Sequence, residues 1–113
     1  MAKDSFKQRE KGEETKFKMD LEKRFKAEAR RNRMLGLWAA KKMGLDEAAS
    51  KVYAKAVVAS DLEEPGYEDV IRKVVKDFEK NKIDISADAI RAEIIRLGPI
   101  ALAEVTEEFP KSL

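Results

Sequence analysis

The chain has 113 residues, which is enough for one domain with a modest core. It contains no Cys and no His, which excludes disulfides and thiolate metal sites and removes both the usual general base and the commonest metal ligand. No apolar run approaches the roughly 20 residues of a membrane span, and the first residues do not resemble a signal peptide, so we expect a cytoplasmic protein without direct membrane insertion.

Charged residues make up 41% of the chain and are distributed unevenly. Residues 1–43 contain 14 Lys or Arg and 7 Asp or Glu, whereas residues 44–113 contain 10 and 15. A basic front half indicates an acidic partner, such as nucleic acid, anionic lipid or an acidic protein cleft. Interleaved acids such as Glu10 and Glu14 argue against nucleic acid, because they would repel phosphates.

The first 16 residues hold one strong apolar side chain, Phe6, among charged and polar neighbours. That is too little apolar surface to offset an ordering cost of roughly 1–2 kcal/mol per residue. We therefore expect residues 1–19 to form a flexible or partly helical N-terminal arm and residues 20–113 to form a helical bundle.

A long helix is predicted from about Phe17 to Met43. Phe17, Leu21 and Phe25 recur every four residues, and the apolar stripe resumes at Met34. The charged residues up to Arg33 are expected to hold no core, so this helix should change at Met34 from an exposed arm to a bundle member that includes Trp38. Gly44 is expected to end it in a left-handed conformation.

Two shorter helices are predicted next. Asp46 is a suitable N-cap for a helix over roughly 47–60, with Val52 among its inner residues. A turn then leads to a helix over about 66–80, for which Pro65 suits the first helical position.

Ser86 is the expected cap of a fourth helix, which contains Gly98-Pro99. Proline inside a helix removes one backbone hydrogen bond, so we expect either a kink or two short helices there. The predicted fold class is therefore all-α, a four-helix bundle with an N-terminal arm and a kinked last helix.

Motifs of catalysis are absent from the sequence. It has no Gly-rich phosphate loop, no nucleophile elbow and no His-based metal site. Adjacent carboxylates such as Glu63–Glu64 and Glu107–Glu108 are typical of solvated surface rather than of acid–base pairs. We expect a protein that is not an enzyme and requires no cofactor.

Two groups of residues are candidates for binding a partner. On a helix, Phe6 and Phe17 share one face, as do the anchors of an amphipathic helix that lies in a groove. The alternative is that Phe17 continues the bundle stripe of Leu21 and Phe25.

The second group is the basic cluster of Arg30, Arg31 and Arg33. Its members either contact phosphate or carboxylates of a partner, or pair with Glu28 and with acids of neighbouring helices.

The chain resembles the ζ subunits of α-proteobacterial ATP synthases. The resemblance covers about residues 5–97 and is carried first by the spaced set Phe6, Arg9, Glu10, Glu14, Lys16, Phe17, Asp20, Glu22, Phe25, Lys26, Ala29-Arg-Arg-Asn32, Leu35, Gly36 and Trp38-Ala-Ala40. A second block in the right order is Ser60-Asp-Leu-Glu-Glu-Pro-Gly-Tyr-Glu-Asp-Val-Ile-Arg-Lys73.

The resemblance implies an inhibitor of the F1 sector of ATP synthase, a monomer when free and peripheral to the membrane-bound enzyme. Its N-terminal arm would become helical as it enters a catalytic α/β interface next to γ, and would block ATP hydrolysis. Carried onto this sequence, the arm contacts are Phe6, Arg9, Glu10, Glu14, Lys16 and Phe17. Arg30, Arg31 and Asn32 match the family's motif at the junction of arm and bundle.

Two other functions stay open from the sequence. One is a small nucleic-acid-binding module that uses the basic helix 23–33. The other is a helical module that senses adenine nucleotide, because weak ADP or ATP binding on the bundle is implied by the resemblance, without assigned residues. In the arm, Gly12 costs roughly 1 kcal/mol against Ala in a helix, which raises the cost of ordering on binding.

Overall fold

The protein folds into four helices around one core, in a computed structural model that describes the backbone of residues 2–61 and 66–109 and the side chains of residues 18–61 and 66–109. The helices are α1 (Ala2–Lys42), α2 (Glu47–Ala59), α3 (Glu68–Lys80) and α4 (Ala87–Glu108). The all-α four-helix bundle is confirmed. The arm has a helical backbone continuous with the rest of α1, which agrees with a partly helical arm.

Helix α1 is the central element, because α2 and α4 both pack mainly against it. Both run antiparallel to it. Gly36 of α1 lies against Ala54 and Val57 of α2, and Lys26 lies beside Phe109, just after the end of α4. At about 1.5 Å per residue, the 41 residues of α1 extend about 60 Å, and the molecule measures 68 × 26 × 20 Å.

The caps form where the sequence predicts them. The Asp46 carboxylate accepts a 2.8 Å hydrogen bond from the backbone N–H of Ala49, and the Ser86 hydroxyl accepts one of 3.1 Å from that of Ala89. Gly44 ends α1 at a φ of +74°, and the N–H of Leu45 donates to the carbonyl of Ala40. Helix α3 begins at Glu68, so its first helical residue is not Pro65, which itself lies outside the described residues.

The core is built from one face of each helix. Its buried members are Leu35, Ala39, Val57, Val70, Ile71, Val74, Phe78, Ile90, Ile94 and Leu97. Trp38 packs against this core as expected, with its ring centroid 5.9 Å from that of Phe78. Helix α4 passes through Pro99 as a single helix, so the division into two short helices does not occur.

Two predictions of burial are wrong. Val52 is 70% exposed, because α2 turns the small Ala54 toward α1 where Gly36 lets the two helices approach closely. Among the described side chains of α1, burial begins at Ala27 rather than at Met34, and Asn32 is 1% exposed. The charged stretch therefore contributes two side chains, those of Ala27 and Asn32, to the interior. The sequence pattern does not predict their burial, because Arg and Lys residues surround them.

Candidate functional site

The junction is the part of α1 from Lys26 to Asn32, where the exposed portion of the helix meets the bundle. Lys18 to Lys26 contain no buried side chain, and Ala27 is the first buried residue among the described side chains of α1. The three predicted junction residues, Arg30, Arg31 and Asn32, all lie here. They point in two directions, toward α4 and toward the end of α2.

Arg30 joins α1 to the last turns of α4. Its guanidinium lies 3.7 Å from the Glu104 carboxylate and 2.6 Å from that of Glu108. One helical turn earlier, the Lys26 ammonium lies 5.2 Å from the centroid of the Phe109 ring. These partly exposed contacts are individually weak, but together they hold the C-terminal end of α4 against α1 just where the arm leaves the bundle.

Asn32 joins α1 to the end of α2. Its amide nitrogen donates a 2.8 Å hydrogen bond to Asp61, which follows α2, and its amide oxygen accepts two bonds of 3.1 Å from the Arg31 guanidinium. The same guanidinium lies 4.0 Å from the Asp61 carboxylate and 5.7 Å from the centroid of the Tyr67 ring. Through these contacts, Asn32 and Arg31 hold the end of α2, and the residues just before α3, against α1.

A groove of about 330 Å³ opens beside the junction, between α1 and α4. Its lining residues are Asp20, Lys23, Arg24, Ala27, Glu28, Arg31, Gly98 and Leu102. Three of them are cationic and two are carboxylates, so the groove combines positive charge with an apolar wall from Ala27 and Leu102. Among the described residues, no group of three or more acidic side chains could hold a metal ion.

The basic cluster is largely engaged within the chain. The side chain of Arg30 is 28% exposed and that of Arg31 15% exposed, and both guanidiniums face acids or acceptors of this protein. Arg33 is exposed. This arrangement agrees with pairing to acids of neighbouring helices, although the acids are Glu104, Glu108 and Asp61 rather than Glu28. It leaves little of the cluster to bind phosphate.

The proposed arm contacts, Phe6 to Phe17, lie outside the residues whose side chains the structure describes. The next two residues of that stripe are described, and they are not part of the core. Leu21 is 47% exposed and Phe25 is 78% exposed. The interpretation of the stripe as a bundle stripe is therefore wrong for Leu21 and Phe25.

The sequence patterns do not predict the residues that meet the junction from elsewhere in the chain. Asp61 lies in the second sequence block that carries the family resemblance. Its position directly after an apolar helix is the available sequence signal that it contacts another helix. Glu104 and Glu108 are one turn apart on α4, which is the spacing of a pair that faces one cation. Which α1 residue they would meet depends on the tertiary packing.

The chain is similar to a known protein family and to a solved structure. A family model described as ATPase inhibitor subunit zeta matches residues 3–104. A structure solved by solution NMR is similar with a TM-score of 0.66 and 40% identity, over 75% of this chain and 96% of that chain. No curated protein matches the chain. No helix in the described ranges has the length and apolar character that crossing a membrane requires.

Proposed function

Because the chain belongs to the ATPase inhibitor subunit zeta family, we propose that it inhibits ATP hydrolysis by the F1 sector of ATP synthase. In this proposal the N-terminal part of α1 enters a catalytic α/β interface next to γ. The bundle stays outside and stops the helix from passing through. Rotation in the hydrolysis direction is then blocked, whereas synthesis is affected less.

The observation that carries the proposal is the construction of α1. It is one helix from Ala2 to Lys42, and its described side chains before Ala27 are not buried by the bundle. A helix of this kind can transmit force between an inserted end and an anchored end, because no break or loop interrupts its hydrogen bonds. At about 1.5 Å per residue, the 25 residues before Ala27 correspond to about 37 Å of helix.

The junction supports the proposal by holding the base of this helix. The contacts of Arg30 with α4 and of Asn32 with Asp61 restrain α1 from two sides. We propose that the junction residues set the direction in which the arm leaves the bundle and border the partner surface there. Phe6 and Phe17 are the proposed apolar anchors of the arm, and its proposed polar contacts are Arg9, Glu10, Glu14 and Lys16.

The experiment that tests the proposal adds the purified chain to purified F1-ATPase from the same organism and follows ATP hydrolysis. We expect inhibition that saturates with concentration, and a much weaker effect from a Phe17→Ala variant. A Val52→Ala variant serves as the control, because Val52 is an exposed apolar residue of α2, away from the arm. Undiminished hydrolysis at saturating concentrations of the wild-type chain would overturn the proposal.

Binding of adenine nucleotide is a second candidate function, favoured by the groove between α1 and α4. Lys23 and Arg24 could pair with phosphates there, while Ala27 and Leu102 offer apolar surface to a base. An NMR titration with ATP tests this directly. We expect shifts confined to the groove and weakened by Arg24→Ala. Shifts elsewhere on the bundle, or none at millimolar ATP, would exclude this site.

A further inference from the structure

Two apolar side chains are exposed where α1 leaves the bundle. Phe25 is 78% exposed and Leu21, one turn earlier, is 47% exposed. We call this pair the collar patch. Isolated exposed apolar residues are normal on protein surfaces. Here, however, an aromatic and an aliphatic residue lie four apart on one helix face, just before Ala27, the first buried side chain that the structure describes in α1.

The collar patch is open because α2 ends too early to cover it. Residues 7 and 11 positions apart on a helix lie on one face, so Phe25 and Leu21 share the face of Asn32. Asn32 is covered by Asp61, which follows α2, and Gly36 on the same side is covered by Ala54 and Val57. Helix α2 runs antiparallel to α1 and ends at Ala59. Beyond Asn32, the same face of α1 carries the exposed side chains of Phe25 and Leu21.

We propose that the collar patch is a docking surface for an apolar area of the F1 sector that surrounds the entrance to the arm's site. This inference rests on the proposed function and extends its contact surface beyond residue 19, the predicted end of the arm. Phe25 lies about 9 Å further along the helix axis than residue 19. Since α1 is unbroken, inserting the arm up to the bundle brings Phe25 to the rim of the site.

The collar patch also continues the register of the arm. Phe17, Leu21 and Phe25 follow one another at intervals of four residues, so a partner that contacts Phe17 along this stripe meets Leu21 and Phe25 next. A second copy of the chain is a poorer occupant. Two side chains cannot supply the roughly 1,200–2,000 Å² that a stable protein–protein interface buries, whereas for F1 they would only enlarge the contact that the arm already makes.

The test compares a Leu21→Ala, Phe25→Ala double variant with Val52→Ala in the full chain. Alanine is the best helix former and neither residue is buried, so α1 and the melting temperature should be preserved. We expect the double variant to need roughly tenfold more protein for half-inhibition of F1-ATPase, whereas Val52→Ala matches the wild type. Equal potency of the double variant and the wild type overturns the docking proposal but leaves inhibition by the chain intact.

A second measurement reports contact without relying on inhibition. The chain has no Cys, so Phe25→Cys and Val52→Cys variants can each carry one environment-sensitive fluorophore. On adding F1-ATPase we expect a blue shift at position 25 and none at position 52. No shift at position 25 while the labelled chain still inhibits overturns the docking proposal.

Absence of inhibition by the wild type instead overturns the proposed function. If the double variant changes the sedimentation of the free chain, the occupant is a second copy, which also overturns docking on F1.

Discussion

The Asn32 amide donates a 2.8 Å hydrogen bond to the Asp61 carboxylate, and this contact joins residues 29 positions apart. Asn32 is the one buried polar residue among the described side chains. An amide suits this place because its oxygen accepts from Arg31 while its nitrogen donates to Asp61. A carboxylate there could accept from Arg31 but could not donate to Asp61, and a hydrocarbon could do neither.

Replacing Asn32 with Ala should destabilise the bundle by about 1–3 kcal/mol, because the Asp61 carboxylate loses a neutral donor in a poorly solvated place. For a chain of this size, that corresponds to a fall in melting temperature of about 10 °C. Circular dichroism melting measures it. Arg33→Ala is the control, since Arg33 is exposed and should change the stability by less than about 0.5 kcal/mol. Equal melting of the two variants would show that the buried amide does not stabilise the junction.

Replacing Gly36 with Ala should also destabilise the protein. A Cβ atom at this position would lie 2.7 Å from the Cα of Ala54 and 3.2 Å from Val57, so the two helices would have to separate. Overpacking of this kind costs about 1–3 kcal/mol. Gly98→Ala is a matched control, because the nearest atom to its added Cβ outside the local helix backbone is the Cδ of Arg31, at 4.0 Å. We expect it to change the free energy of unfolding by less than about 1 kcal/mol in urea denaturation. A Gly36→Ala variant as stable as Gly98→Ala would contradict the close approach of α1 and α2.

Tyr53 should make the stability depend on pH in the alkaline range. Its hydroxyl donates a 2.7 Å hydrogen bond to Asp77. Burial, and then this bond and the charge of Asp77, raise the pKa of the Tyr53 hydroxyl well above its usual value near 10. The stabilisation is therefore complete below about pH 10. It is lost as the pH rises further, because the unfolded chain then releases the proton that the folded chain keeps.

We expect Tyr53→Phe to be less stable than the wild type by about 1–2 kcal/mol at pH 7, and the difference to shrink above about pH 10. Urea denaturation of both proteins between pH 7 and 11 measures it. A difference that stays constant across this range would show that Tyr53 ionises equally in the folded and the unfolded chain.

Deleting residues 2–16 should show that inhibition depends on the N-terminal part of α1, whereas the stability of the bundle does not. The core and the junction contacts lie beyond this segment, so the melting temperature and the helicity of the bundle should be almost unchanged. Inhibition of F1-ATPase should be abolished, because the segment contains most of the proposed arm contacts. Full inhibition by the shortened chain would place the inhibitory surface on the bundle instead.

Local signals in the sequence predict most of the fold correctly. Asp46 and Ser86 act within one turn of their own position, and Gly44 needs only its own backbone freedom to end α1. The apolar period of α3 likewise predicts an inner face of Val70, Ile71, Val74, Val75 and Phe78, of which all but the partly buried Val75 are buried. These features depend on neighbours within a few residues, so the order of residues is sufficient to predict them.

The tertiary structure decided where along α1 the bundle begins, because burial depends on where the other helices end. Phe25 has the more apolar side chain, yet it is exposed since α2 does not reach it, whereas Asn32 is buried under Asp61. Likewise, only the packing of α4 against α1 brings Glu104 and Glu108 to Arg30. By itself, the sequence determined an all-α chain with a long helix, its caps and its family. The fold determined which face of that helix stays open at the base of the arm.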